Sequence, residues 1–290
     1  MKKILIAIII LGVVSAGLGC TANTPPAQIA ATTLPVYEFT QSLCQGTQIR
    51  VTRLITEAVS CLHDYSLQTR QMRAIEGAEV LIISGGGLEA FMEDTLADAN
   101  VVIDASANVA LHCGDHHHDH DGHSHESDPH IWLSPAHAQT MVHNICHGLI
   151  AQYPEHEAVF RQNEAALIEK LDALYTYGQE QLSVLECRQL ITFHDGFTYF
   201  AEAFDLSILK AVEEESGSEA SAAELIQIIH MVQEQRLPAI FTERNGSTSA
   251  ADIIAAETGV TVHSLDMAMA TGSYFDAMYH NIDTIKEALG

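Results

Sequence analysis

Eight short apolar, β-branched runs, four on either side of one long helical stretch, restrict this chain to a narrow set of folds. The runs cover residues 28–32, 49–55, 79–84 and 100–104 in the first half, and 188–193, 206–212, 238–242 and 260–265 in the second. None alternates apolar with polar residues, as a strand with one wet face would, and segments of helical crossover length lie between them. The rhythm predicts an α/β protein of two similar lobes, each a four-stranded, mostly parallel sheet with flanking helices. Between the halves, Val159, Ala166, Leu167, Leu171, Leu174 and Leu182 recur at helical spacing over residues 155–185, interrupted only by Gly178. That stretch predicts one helix of roughly 45 Å at 1.5 Å per residue. A helix of that length is a stiff strut, and it limits how far the lobes move.

The start of the chain carries an export signal. Met1-Lys2-Lys3 is followed by an unbroken apolar run at 4–14, the small residues Ser15-Ala16-Gly17-Leu18-Gly19, and then Cys20. The run is too short for a comfortable membrane span and has the layout of a signal peptide over 1–19. A cysteine directly after the small residues is similar to the lipoprotein box, which implies lipidation at Cys20, although Gly17 stands where that box usually has leucine. Residues 20–28, with Pro25-Pro26, then read as a lipid-anchored tether. The expected location is the outer face of the bacterial cytoplasmic membrane.

The remaining chain divides into an N-terminal lobe at 29–153, a linking helix at 154–186 and a C-terminal lobe at 187–290. Formal net charge is −25, which argues against a nucleic-acid partner and suits a cationic ligand or plain solubility. A monomer is expected. Five cysteines follow Cys20, an odd number that permits at most two internal bridges. Cys44 and Cys61 flank one predicted strand and form the first expected disulfide, with Cys146 and Cys187 the second. No pair has the CxxC spacing of a redox or cysteine-rich zinc module.

Residues 112–128 break the rhythm. His112, His116, His117, His118, His120, His123 and His125 sit among aspartates with no apolar residue to build a core, so the segment reads as a low-affinity metal loop, disordered without metal. A dispensable solvated insertion accounts for it equally well.

Three further histidines fall just past predicted strands or this loop, where α/β sheets place their ligands. His63 follows the second run, His130 follows the loop, and His194 ends the fifth run; Asp266 follows the eighth. Two come from each half, so all four can face one cleft, and three imidazoles with a carboxylate form a donor set for Zn2+. Asp64, Asp195 and Glu243 are candidates to orient those imidazoles, though Asp64 and Asp195 could equally cap helices. A zinc hydrolase is the competing use of such a set. It lacks support from any His-Glu-x-x-His or Gly-x-Ser-x-Gly pattern, and Gly85-Gly86-Gly87 lacks the context of a phosphate loop.

The segments Cys61-Leu62-His63-Asp64-Tyr65, Asp128-Pro129-His130-Ile131-Trp132-Leu133-Ser134-Pro135 and Thr192-Phe193-His194-Asp195-Gly196-Phe197 resemble the signature segments of the zinc and manganese solute-binding proteins of ATP-binding-cassette importers. The resemblance implies two lobes joined by a helix, metal ligation by His63, His130 and His194, and a fourth role for Asp266 as ligand or as neighbour of a water. It implies a membrane permease with its cytoplasmic ATPase as partners, and capture without catalysis. Manganese members tend to carry glutamate at the third ligand position; His194, a softer nitrogen donor, points to zinc.

Overall fold

Each apolar run becomes a strand, in a computed structural model that describes residues 28–59, 62, 65–112, 127–213, 220–269 and 272–290. The expected signal peptide, Cys20 and tether, together with Cys61, His63, Asp64 and residues 113–126 of the His-rich segment, lie outside the described residues. The first sheet comprises β1 (Ile29–Ala31), β2 (Val51–Arg53), β3 (Val80–Ile83) and β4 (Val102–Asp104), ordered β2-β1-β3-β4 and parallel throughout. The second comprises β5 (Gln189–His194), β6 (Ser207–Glu213), β7 (Ala239–Glu243) and β8 (Thr261–Leu265). Its order, β6-β5-β7-β8, repeats that of the first sheet, again all parallel. Burial on both faces explains the missing alternation: β1, β3 and β7 are buried at every position.

Nine α-helices occur among the described residues: α1 (Leu34–Leu43), α2 (Thr69–Glu76), α3 (Glu93–Asp98), α4 (Pro135–Gln152), α5 (Glu157–Leu182), α6 (Thr198–Ala203), α7 (Ala222–Gln235), α8 (Ser249–Thr258) and α9 (Tyr274–Leu289). The linking helix α5 has 26 residues, about 39 Å at 1.5 Å per residue. It is shorter than the sequence predicts because Pro154–His156 forms a separate 3-10 turn before it and the helix ends at Leu182, with Ser183 as its C-cap. It packs against α1 and α4 on one side of the chain's midpoint and against α9 on the other.

One core runs through both halves. Ile29, Phe39, Trp132, Leu171, Phe200, Met267 and Tyr274 belong to it, while a smaller core of Ile191, Ile228, Val232, Ile240 and Ile254 lies between the second sheet and α7 and α8. Hydrogen bonds stitch the halves together as well. The Trp132 indole donates to the Met267 carbonyl at 2.8 Å, and the Tyr274 hydroxyl to the Trp132 carbonyl at 2.9 Å. The Leu34 amide donates to the Met269 carbonyl at 2.8 Å, and the ring of Phe39 meets that of Tyr274 edge-on at 4.9 Å.

The expected Cys44–Cys61 disulfide has one partner, Cys61, outside the described residues. Cys44 is a buried free thiol at the end of α1, pushed up to about 12 by burial. Cys146 and Cys187 are free thiols too, so the second expected pairing is corrected. Cys146 lies buried within α4, where burial and the neighbouring Glu164 push it up to about 12.

Candidate metal centre

Local sequence fixes His130 before any tertiary contact does. Ser134 caps α4 by accepting the His137 amide, Pro135 takes the helix's first position, and Ile131–Leu133 form a buried 3-10 turn. His130 therefore sits one residue ahead of a rigid hydrophobic plug, 1% exposed. Asp128 Oδ1 accepts the His130 amide at 2.9 Å and lies 2.8 Å from His130 Nδ1. Burial works against charge on Asp128, but the hydrogen bonds from His130 and the nearness of the His130 and His194 rings outweigh it and hold the carboxyl below its ordinary range. An ionised carboxylate can only accept, so Nδ1 of His130 is the donor in this contact, and the tautomer it selects leaves the Nε2 lone pair for a metal ion.

That lone pair meets His194. His194 ends β5, 4% exposed, with its Nε2 3.4 Å from that of His130 and the two rings crossed at 86°. Two nitrogens, each about 2.05 Å from a tetrahedral zinc ion, stand about 3.3 Å apart. The observed spacing matches that span and exceeds the 2.7–3.2 Å typical of a nitrogen-donated hydrogen bond. Strand order explains the placement: β5 and β7 are adjacent where the order of the sheet reverses, the crevice in which α/β proteins bind ligands. Gly196 keeps the space clear. A Cβ there would lie 2.9 Å from His130 Nδ1, 2.9 Å from His194 Cδ2 and 2.6 Å from Met267 Cε.

Three other predicted residues lie at or just past the ends of β5, β7 and β8. Glu243, at the end of β7 and 7% exposed, places Oε2 3.9 Å from His194 Nδ1. That is ion-pair range, beyond a hydrogen bond. Asp266 follows β8 with both oxygens engaged: Oδ1 accepts the Ala268 amide at 2.8 Å and Oδ2 the Arg244 guanidinium at 2.7 Å. The buried Asn281 side chain grips the Asp266 backbone, accepting its N–H and donating to its C=O, each at 2.7 Å. Asp195 is half-buried in the turn after β5; Phe197, not Asp195, occupies the N-cap of α6. The structure thus joins His130 to His194, leaves Asp266 against Arg244, and has His63 outside its described part. Among the described residues no group of three or more histidine, cysteine or carboxylate side chains is gathered as a metal cage.

Sequence reasoning missed Asp128 as the partner of His130, although an acid two residues before a candidate ligand was a visible signal. It also missed Tyr199, whose hydroxyl accepts the His112 amide at 3.0 Å and donates to the Asp128 carbonyl at 2.9 Å. The Asp128 amide returns to the His112 carbonyl at 3.0 Å, so both ends of the His-rich segment close on one buried phenol. His112 itself points its Nε2 at Glu202 Oε2, 2.8 Å away. No sequence signal joins Tyr199 to residues 71 and 87 positions earlier.

Comparison with known proteins follows the same lines. The zinc-binding lipoprotein AdcA of Streptococcus pneumoniae serotype 4 is 30% identical over 277 residues, covering 89% of this chain and 55% of that protein. This chain thus spans about half the length of that relative. The crystal structure of ZnuA superposes with a TM-score of 0.80 at 28% identity, over 91% of this chain and all of that one. The Zn(II)-bound ZnuA-like domain of S. pneumoniae AdcA superposes at 0.77 and 27% identity, over 91% and 99%. The model of the family described as zinc-uptake complex component A, periplasmic, matches residues 29–288, and the chain belongs to that family.

Proposed function

We propose that this protein is an extracytoplasmic receptor that captures Zn2+ in the cleft between its sheets and delivers it to a membrane permease of the ATP-binding-cassette type, driven by a cytoplasmic ATPase. The observation that carries the reading is the pair of buried imidazoles with Nε2 atoms 3.4 Å apart, the spacing of two ligands on one tetrahedral ion. The zinc named in the descriptions of AdcA and of the solved ZnuA-like domain supports the choice of cargo. His63 is the third proposed ligand, Asp266 the fourth candidate, and Glu243 orients His194. All-nitrogen donation from the histidines favours zinc over manganese, the cargo of the alternative subgroup. The chemistry is ligand exchange, with no bond made or broken in a substrate.

The same reading carries the lobe boundaries at 29–153 and 187–290, export by the segment at 1–19 and lipid anchoring through Cys20. Among the described residues no helix is long and apolar enough to cross a membrane, and AdcA is itself named a lipoprotein. Elemental mass spectrometry tests the cargo. Protein lacking residues 113–126 should retain one zinc, and His63→Ala, His130→Ala and His194→Ala should each lose it. Zinc that persists in all three variants would exclude the cleft as the site.

A further inference from the structure

Arg244 and Asp266 stand side by side, each one residue past the end of its strand, with the Arg244 amide bonded to the Leu265 carbonyl at 2.9 Å. Asp266 cannot turn as a whole. Asn281 holds its backbone on both sides, and Ala268, in the left-handed region at φ 54°, directs its amide onto Oδ1. Oδ2 is the carboxylate atom not tied to the backbone, and Arg244 Nη1 holds it at 2.7 Å. The guanidinium side chain is 53% exposed whereas the carboxylate is 10% exposed, so the arginine approaches from the solvent side of a nearly buried acid.

We infer that Arg244 is a specificity-determining residue, which withholds the Asp266 oxygen from the bound ion and leaves the imidazoles as its principal donors. This rests on the reading of the His130–His194 cleft as the cargo site. The consequence for selectivity follows from donor chemistry: manganese depends on hard carboxylate oxygens, whereas zinc is held well by imidazole nitrogen. Taking the carboxylate out of the set penalises manganese more than zinc. A half-exposed ion pair is also readily opened by water, so the arginine restrains the oxygen without locking it permanently.

The test is a double-mutant cycle on the full chain, Arg244→Ala, Asp266→Asn and both together, with Zn2+ and Mn2+ affinities read by competition against a metal-indicator dye. Arg244→Ala should raise Mn2+ affinity by about tenfold or more, within the 10- to 100-fold range that partners of metal ligands command, and change Zn2+ affinity much less. Adding Asp266→Asn should abolish the gain. Unchanged Mn2+ affinity in Arg244→Ala overturns the inference. So does a gain that survives Asp266→Asn, since it would then come from removing a positive charge. His130→Ala in the same series separates the two levels: loss of Zn2+ upholds the cleft whatever Arg244 does, and retained Zn2+ removes cleft and inference together.

Discussion

Asp128 does for His130 what distance alone cannot. A neutral imidazole has two tautomers, and only one leaves Nε2 able to ligate; the 2.8 Å contact from Nδ1 to an ionised carboxylate selects it. Asp128→Asn keeps the shape and removes the charge. Zinc affinity should then fall by about 10- to 100-fold with the circular dichroism unchanged, as titration against a chelator would show. Wild-type affinity in that variant would mean that the tautomer is set by other groups. At this scale the sequence was only partly legible. His130 and His194 stood out because each follows a strand or the His-rich loop, and the fold did bring them together. Asp266 stood out by the same logic, but its engagement by Arg244 depends on a pairing of two strand ends that no local pattern reveals.

Elements were far more legible than contacts. All eight strands fall within or one residue beyond their predicted runs, because a strand buried on both faces must be apolar throughout and is easily told from a helix of period 3.6. The expected Cys146–Cys187 pairing failed for the converse reason, since no local pattern tells which cysteines a fold brings together. Between β3 and α3 lies Glu89, 3% exposed, accepting Thr32 Oγ1 at 2.6 Å and the amides of Ser84 and Gly85 at 2.8 and 3.0 Å. Burial dominates over these bonds and raises its carboxyl to about 7. A carboxyl whose folded value exceeds its unfolded one binds more protons in the folded state. Its stabilising contribution is complete below the ordinary value of 4.5 and is lost as pH rises through about 7. Urea unfolding at pH 5 and pH 8 should show the wild type losing up to about 3 kcal/mol more than Glu89→Gln over that interval. Identical losses would show that Glu89 does not titrate there.

At the scale of the whole molecule, the described residues form two sheets but one principal core, and the chain's single tryptophan lies in the seam between them, fully buried and bonded to the Met267 carbonyl. Rotating the halves apart would strip Trp132 and Tyr274 of apolar cover and break their hydrogen bonds together. Unfolding should therefore be one event: the urea transitions followed by Trp132 fluorescence and by far-ultraviolet circular dichroism should coincide. A fluorescence change that precedes loss of helix would show the halves parting first. The seam has a further partner in Tyr199, which gathers His112 and Asp128 onto one hydroxyl. Removing that one oxygen would leave the His112 amide and the Asp128 carbonyl without their shared partner together, so a single atom joins three stretches of the chain.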